Sequence, residues 1–380
     1  MQRGTGDRVV AVSGSSEEAC PAGTSAAWLP RRWRWAVFLY VTLLGLMFAQ
    51  ATYTYYAQEY VWLPPQTARA AYYAEHNRTP LALDHPFFQG KDHAPDQYRV
   101  GVAMPLGSLA RLIGTQRVYI FYPIVDFFCG VGACLLLLNL LMGSGAFRRM
   151  RASVQPCALA AFLACLPFAY FWVVPFQRPE TMPSALILAA CLNLLGRLKT
   201  GWHVAALLFL AVWQTFIRAD VVVVFGAAVA VLGVLRKLNP GVSRVAGLAL
   251  GTCMVVAALG TSALLKFYIF PHATYAPDTP VVTIGNNLQA RVFSHFLLAV
   301  APLVLLVREA FRKPAWLESS DLIAILAACF YIPLWFTVGI LWEVRIFVPF
   351  LFLLTPTAAK LIATTIGGGA DDTKRLHTSG

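Results

Sequence analysis

The chain has 380 residues, of which 58% are hydrophobic and 13% charged, with a formal net charge of +12. Soluble domains carry roughly a quarter charged residues, so this composition excludes an ordinary soluble fold and indicates a polytopic membrane protein. Apolar runs recur almost to the C-terminus and leave no room for a separate soluble domain; the basic residues flank those runs in small clusters, which encodes topology and speaks against a nucleic-acid partner.

Residues 1–30 hold Gly, Ser, Ala and charge without periodicity and read as a disordered cytoplasmic tail. Arg31, Arg32 and Arg34 lead into a first spanning helix, about 34–56, that lacks a cleavage site and closes on an aromatic belt of Tyr53, Tyr55 and Tyr56. The basic flank places its start in the cytoplasm. The segment 57–116 is therefore expected to be a long extracytoplasmic loop. It is the long polar stretch between spans, with Glu59, Glu75, Asp84, Asp92 and Asp96 and three histidines, His76, His85 and His93. After Pro64-Pro65, residues 67–77 suit a short surface helix, and the apolar Val102 to Gly114 is too short to span and suits the membrane interface.

Further spans are expected at about 117–142, 156–175 and 182–196, with basic residues at each cytoplasmic turn. The segment 202–235 is too long for one crossing and short for two, with Arg218 and Asp220 in its middle. Because Arg197/Lys199 and Arg236/Lys237 both mark the cytoplasmic side, it reads as two short helices, about 203–217 and 221–235, meeting at Arg218-Ala219-Asp220. Spans at about 245–268, 292–307, 321–341 and 346–366 complete an all-α domain over 31–367, about ten helices in all, with residues 368–380 a cytoplasmic tail. Both termini are then cytoplasmic. No internal repeat of the kind common in secondary transporters is visible. Seven cysteines (Cys129, Cys134, Cys157, Cys165, Cys191, Cys253, Cys329) lie within apolar runs without a Cys-x-x-Cys pair and read as small buried hydrophobes.

The charges on the outer side form short patterns: Arg178-x-Glu180, Arg218-x-Asp220 and Glu343-x-Arg345, joined by Asp126 within a span and by Asp96 and Arg99 at the root of the loop. Charge at depth is costly and marks a functional cavity by default. Arginine offers a planar fork of donors suited to phosphate oxygens, so Arg99, Asp126, Arg178, Glu180, Arg218, Asp220, Glu343 and Arg345 form a candidate site for a lipid-linked phosphate. Phe121, Tyr122, Phe171, Trp172, Phe176, Trp335, Phe336 and Trp342 are candidates to line it. Asp96, Asp92 and Asp84 are the candidate general bases for an incoming hydroxyl. The pairs Asp84-His85 and Asp92-His93 could hold a divalent metal but match no ligand signature, so no cofactor is expected. Walker, Gly-x-Ser-x-Gly, His-Glu-x-x-His and Rossmann patterns are absent from the sequence.

A first helix, a long outer loop with acids and interface helices, and arginines at outer helix ends together resemble the GT-C superfamily of integral membrane glycosyltransferases. Asp96-Gln97-Tyr98-Arg99 and Glu343-Val344-Arg345-Ile346-Phe347-Val348-Pro349 are similar to patterns in bacterial polytopic proteins of this type. The loop carries Asp-His pairs where members of the superfamily often have Asp-x-Asp or Asp-Glu. The resemblance implies transfer of a sugar from a polyprenyl-phosphate carrier on the extracytoplasmic face of a bacterial inner membrane, with lipid-linked sugar phosphate and membrane lipids as partners. Asp96 is then base or substrate anchor, and Arg99, Arg218 and Arg345 are phosphate ligands. The alternatives are a surface-polysaccharide polymerase or ligase, and a lipid-linked-sugar flippase or transporter. Transport calls for charge near the midplane and the cytoplasmic mouth, which the spans at about 156–175, 245–268, 321–341 and 346–366 hardly supply.

Overall fold

A computed structural model of the protein describes residues 31–59, 99–114, 120–171, 180–198, 200–238, 242–272, 284–338 and 347–378, and no strand occurs among them. The principal helices are α1 (Arg31–Glu59), α2 (Val100–Ile113), α3 (Phe121–Gly143), α4 (Gln155–Phe171), α5 (Thr181–Leu195), α6 (Gly201–Val234), α7 (Arg244–Leu264), α8 (Ala290–Arg312), α9 (Ser319–Val338) and α10 (Val348–Thr378). Among the described residues six helices are long and apolar enough to cross a membrane, within α1, α3, α6, α7, α9 and α10. Shorter apolar helices lie at Val100–Ala110, Gln155–Tyr170 and Thr181–Leu195. Among the described residues the architecture is thus helical, with several candidate membrane crossings, in keeping with the composition. α8 covers the expected span at about 292–307 and carries Arg308, Glu309 and Arg312 beyond it. α10 runs twelve residues past the expected end at 366.

The chain divides into two compact units, Met1–Leu39 and Tyr40–Gly380, and the second contains the helix packing that positions the polar site. Its centre is α5, in which twelve of fifteen residues are buried and which packs against α3, α6 and α10. α5 and α3 run parallel. Asn139 Nδ2 donates to Asn193 Oδ1 at 2.9 Å, and Asn193 Nδ2 in turn donates to the carbonyls of Leu136 and Ala189 at 3.1 and 2.9 Å. Gly132 faces Leu186 at the same offset of 54 residues that separates the two asparagines. Interhelical amide pairs of this kind are worth about 0.6–2 kcal/mol in a membrane, enough to fix register. The first half of α6 runs antiparallel to α5, with Gln214 Nε2 donating to Ser184 Oγ at 2.6 Å. α9 and α10 are also antiparallel: the rings of Tyr331 and Phe350 lie 4.5 Å apart between centroids, and Asp321 meets Lys360 ten residues away along each helix.

α6 is broken at one residue. Arg218 has φ −155° and ψ 96°, an extended conformation between two helical halves, where the sequence suggested a three-residue turn. Just before it, Thr215 Oγ1 donates back to the carbonyl of Ala211 at 2.9 Å, a bond that bends helices. A straight 34-residue helix would be about 51 Å long, well beyond a bilayer core of about 30 Å. The interruption explains how so long an apolar run is accommodated.

The half of α6 after the break packs antiparallel on α7 through glycines. A Cβ built at Gly233 would lie 2.6 Å from the carbonyl carbon of Gly247, and one at Gly251 would lie 2.5 Å from the carbonyl oxygen of Gly226. In both cases the obstacle is backbone, which cannot rotate aside. Gly251→Ala is therefore expected to separate α6 from α7 and to destabilise the protein by about 1–3 kcal/mol, read as a lower melting temperature in detergent. Gly260→Ala, where an added Cβ meets nothing within 4 Å, is the control and should leave melting unchanged or slightly raised.

α2 packs on the other half of α6, with Gly101 against Phe216 and Ile217. Val100, Val102, Ala103, Leu106 and Ala110 are buried while Leu109, Leu112 and Ile113 are exposed, the two-sidedness expected of an apolar helix too short to span. Cys134 and Cys191 are buried as read from the sequence; Cys253, on α7, is exposed, which corrects that reading for this residue.

Candidate functional site

The break in α6 is where the charges gather, for a local reason. Arg218 closes one half-helix and Asp220 opens the next, so a cation sits at a C-terminal end and an anion at an N-terminal end, each on the favourable side of the helix dipole. Arg218 Nη2 meets Asp220 Oδ2 at 2.6 Å, and Nε lies 3.4 Å from Oδ1. The guanidinium also donates to the Tyr331 hydroxyl, which itself donates to Asp220 Oδ2 at 2.8 Å. Trp335 Nε1 donates to the same carboxylate oxygen at 3.1 Å. Both rings stand 5.8 Å from the guanidinium carbon, a cation–π distance. Tyr331 and Trp335 are four residues apart on α9 and share one face.

Three further candidates join this layer through helix register. The antiparallel pairing of Gln214 with Ser184 sets Glu180, one turn before Ser184, opposite Arg218, one turn after Gln214, and the two interact electrostatically. The parallel offset that pairs Asn139 with Asn193 likewise sets Asp126 beside Glu180, and these carboxyls also feel each other. Asp126 Oδ2 accepts from Thr52 Oγ1 of α1 at 3.0 Å. Arg99, at the head of α2, acts electrostatically on Asp220 and Tyr331. Thus Arg99, Asp126, Glu180, Arg218 and Asp220, spread over 122 positions of chain, meet in one polar layer. Asp84, Asp92, Asp96, Arg178, Glu343 and Arg345, together with the expected surface helix at 67–77, lie outside the described residues.

Arg218 and Asp220 were grouped as ligands for a substrate, yet each is a principal partner of the other. Arg218 is 6% exposed and Asp220 26% exposed. Tyr331, Thr52, Ser184 and Gln214 were not singled out in the sequence. The signal for Tyr331 is its i, i+4 spacing to Trp335, two aromatics with a polar hydrogen in an otherwise apolar helix.

A second polar pair lies farther along α9, ten residues before Tyr331 and so about 15 Å away by helix rise. Asp321 and Lys360, both 2% exposed, form an ion pair between α9 and α10. Thr357 Oγ1 donates to Asp321 Oδ1 at 2.6 Å, and the Glu318 amide donates to Oδ2 at 2.8 Å. The expectation that these two spans hardly carry charge at this end is corrected by this pair. Among the described residues no three His, Cys, Asp or Glu side chains converge as a metal site.

Comparison with protein-family models, with curated proteins and with solved structures returns no match. Composition and architecture define a multi-pass, all-helical membrane protein with a polar layer at the break in α6.

Proposed function

We propose that the protein is an integral membrane glycosyltransferase that takes a sugar from a polyprenyl-phosphate carrier at the extracytoplasmic face of a bacterial inner membrane. The reading uses about ten crossings, with the two halves of α6 as short spans whose shared tip carries Arg218. One observation carries it: five ionisable residues predicted to act together are drawn into one layer by the registers of α3, α5 and α6. Asp220, Tyr331 and the two aromatic faces hold the Arg218 guanidinium in a fixed orientation, so its positive field needs no reorganisation when an anion arrives. Arg99, half-buried at the head of α2, is the cation assigned to meet the phosphate directly. The carboxylates of the first loop, Asp96 foremost, are assigned to the acceptor hydroxyl.

The test uses the detergent-purified full chain and two probes, a polyprenyl phosphate and the matching neutral polyprenol. The phosphate is expected to bind and the alcohol not, with Arg99→Gln weakening phosphate binding by about tenfold or more, the loss of one charge-assisted contact. Equal binding of the two probes would overturn the reading. In cells that make the glycan, Asp96→Ala should abolish the modification at unchanged protein level.

A transporter is the second reading, favoured by the buried Asp321–Lys360 pair, which places charge inside the helix bundle away from the first site. Movement of a labelled lipid-linked sugar across sealed vesicles, lost on Lys360→Met in a protein that still folds, would select it over the enzyme.

A further inference from the structure

Asp126 is a buried carboxyl whose surroundings supply too few donors for an anion. It is 2% exposed, and its Oδ2 has a single neutral donor, Thr52. Its Oδ1 is buried and accepts no hydrogen bond among the described residues. Among the described residues the titratable groups within electrostatic reach of it are Glu180 at the N-cap of α5, Tyr170 from α4 and Cys129 one turn along α3. None is a cation. The lysine of α10, Lys360, is already paired with Asp321. Glu180, which Arg218 faces, is a neighbouring carboxyl and supplies no donor to Asp126.

Nearby, Gln214 is fully buried; its amide nitrogen donates to Ser184, while its Oε1 has no donor among the described residues. Three oxygens in one polar layer, Asp126 Oδ1, Glu180 Oε2 and Gln214 Oε1, are thus buried and accept no hydrogen bond among the described residues. An isolated carboxylate in such a place is strongly disfavoured against its neutral acid.

We infer that Asp126 carries a proton, so that the layer contains a proton-binding site at a buried neutral acid with one neutral donor, Thr52, and no cation beside it among the described residues. A buried carboxyl without a cation or enough donors is held as its neutral acid. The chemistry is a simple transfer: a base reaching Asp126 takes the proton, leaving the carboxylate, and reprotonation restores the acid, with no change in covalent bonding elsewhere. This assignment does not depend on the glycosyltransferase reading, since it would serve proton coupling in a transporter equally.

Infrared spectroscopy of the full chain in lipid nanodiscs tests it. At neutral pH the wild type should show the C=O stretch of a protonated carboxylic acid, downshifted in heavy water, and Asp126→Asn should lose that band while Glu180→Gln keeps it. Absence of the band in the wild type would overturn the inference, as would its survival in Asp126→Asn or its loss in Glu180→Gln. Should Asp126→Asn fail to fold, wild-type protein labelled with 13C at the aspartate side-chain carboxyls gives the answer instead. A band that shifts with the label belongs to an aspartate and supports the assignment; one that stays fixed overturns it.

Discussion

Replacing Asp220 with alanine should destabilise the protein by about 3 kcal/mol, near the lower end of what breaking a buried ion pair costs. The loss comes from the partner left behind: Arg218 is 6% exposed and cannot reach water without dismantling the contact between α6 and α9. Two other donors, the Tyr331 hydroxyl and the Trp335 indole, lose the oxygen they share. The residual field of Glu180 on Arg218, and the part exposure of Asp220 itself, keep the figure from the upper end. Asp220→Asn should cost less, since an amide oxygen still accepts from Tyr331 and Trp335. Removing both charges, as Arg218→Met with Asp220→Leu, should recover much of the loss, because no uncompensated ion remains. Thermal melting of the purified variants in one detergent reads all three. If Asp220→Ala melts with the wild type, the cluster is not holding the break in α6 together.

That experiment also separates the site's two roles. A substrate phosphate that draws on Arg218 competes with Asp220 for the same guanidinium, so added polyprenyl phosphate should raise the melting temperature of Asp220→Ala more than that of the wild type. A purely structural pair would leave the two increments equal.

The sequence made the membrane class legible through hydropathy, and it made the break in α6 legible because a 34-residue apolar run interrupted by Arg-x-Asp admits few solutions. It also drew attention to Arg99, Asp126, Glu180, Arg218 and Asp220 as charges within or beside apolar runs, which are conspicuous. What it did not yield is their partners. Arg218 is bound by Tyr331 and Trp335 from a helix more than a hundred residues on, and Asp126 by Thr52 from α1. Those contacts depend on helix register, which is fixed by small features such as Asn139 with Asn193 and Gln214 with Ser184, polar residues that individually resemble ordinary tolerated substitutions in a span. The glycine seam between α6 and α7 is legible only as composition until the antiparallel register brings Gly233 to Gly247. Lys360 was visible as the single charge in an apolar run and was passed over because its partner, Asp321, sits in the first turn of another helix, where an acid is ordinary.

The Asp321–Lys360 pair should be the most expensive single contact to break. Both residues are 2% exposed, and the carboxylate is held by Thr357 and the Glu318 amide as well as by the ammonium group. Asp321→Ala strands Lys360 between α9 and α10 and removes the acceptor that closes the first turn of α9, so a loss of about 4–5 kcal/mol is expected, large enough to lower the yield of folded protein. Lys360→Met should cost less. Its side chain fills nearly the same volume, and Asp321 retains two hydrogen bonds from neutral donors. The double change Asp321→Leu with Lys360→Met should melt close to the wild type or above it, as apolar replacements of buried pairs do. The ordering of these three melting temperatures distinguishes a pair kept for stability from one kept for work. If the double variant folds as well as the wild type and still modifies glycan, the pair is dispensable scaffolding for the enzyme. If it folds equally well and all activity is gone, charge at this level belongs to the mechanism, and a path connecting it to the Arg218 layer, about 15 Å along α9, becomes the structural element to trace next.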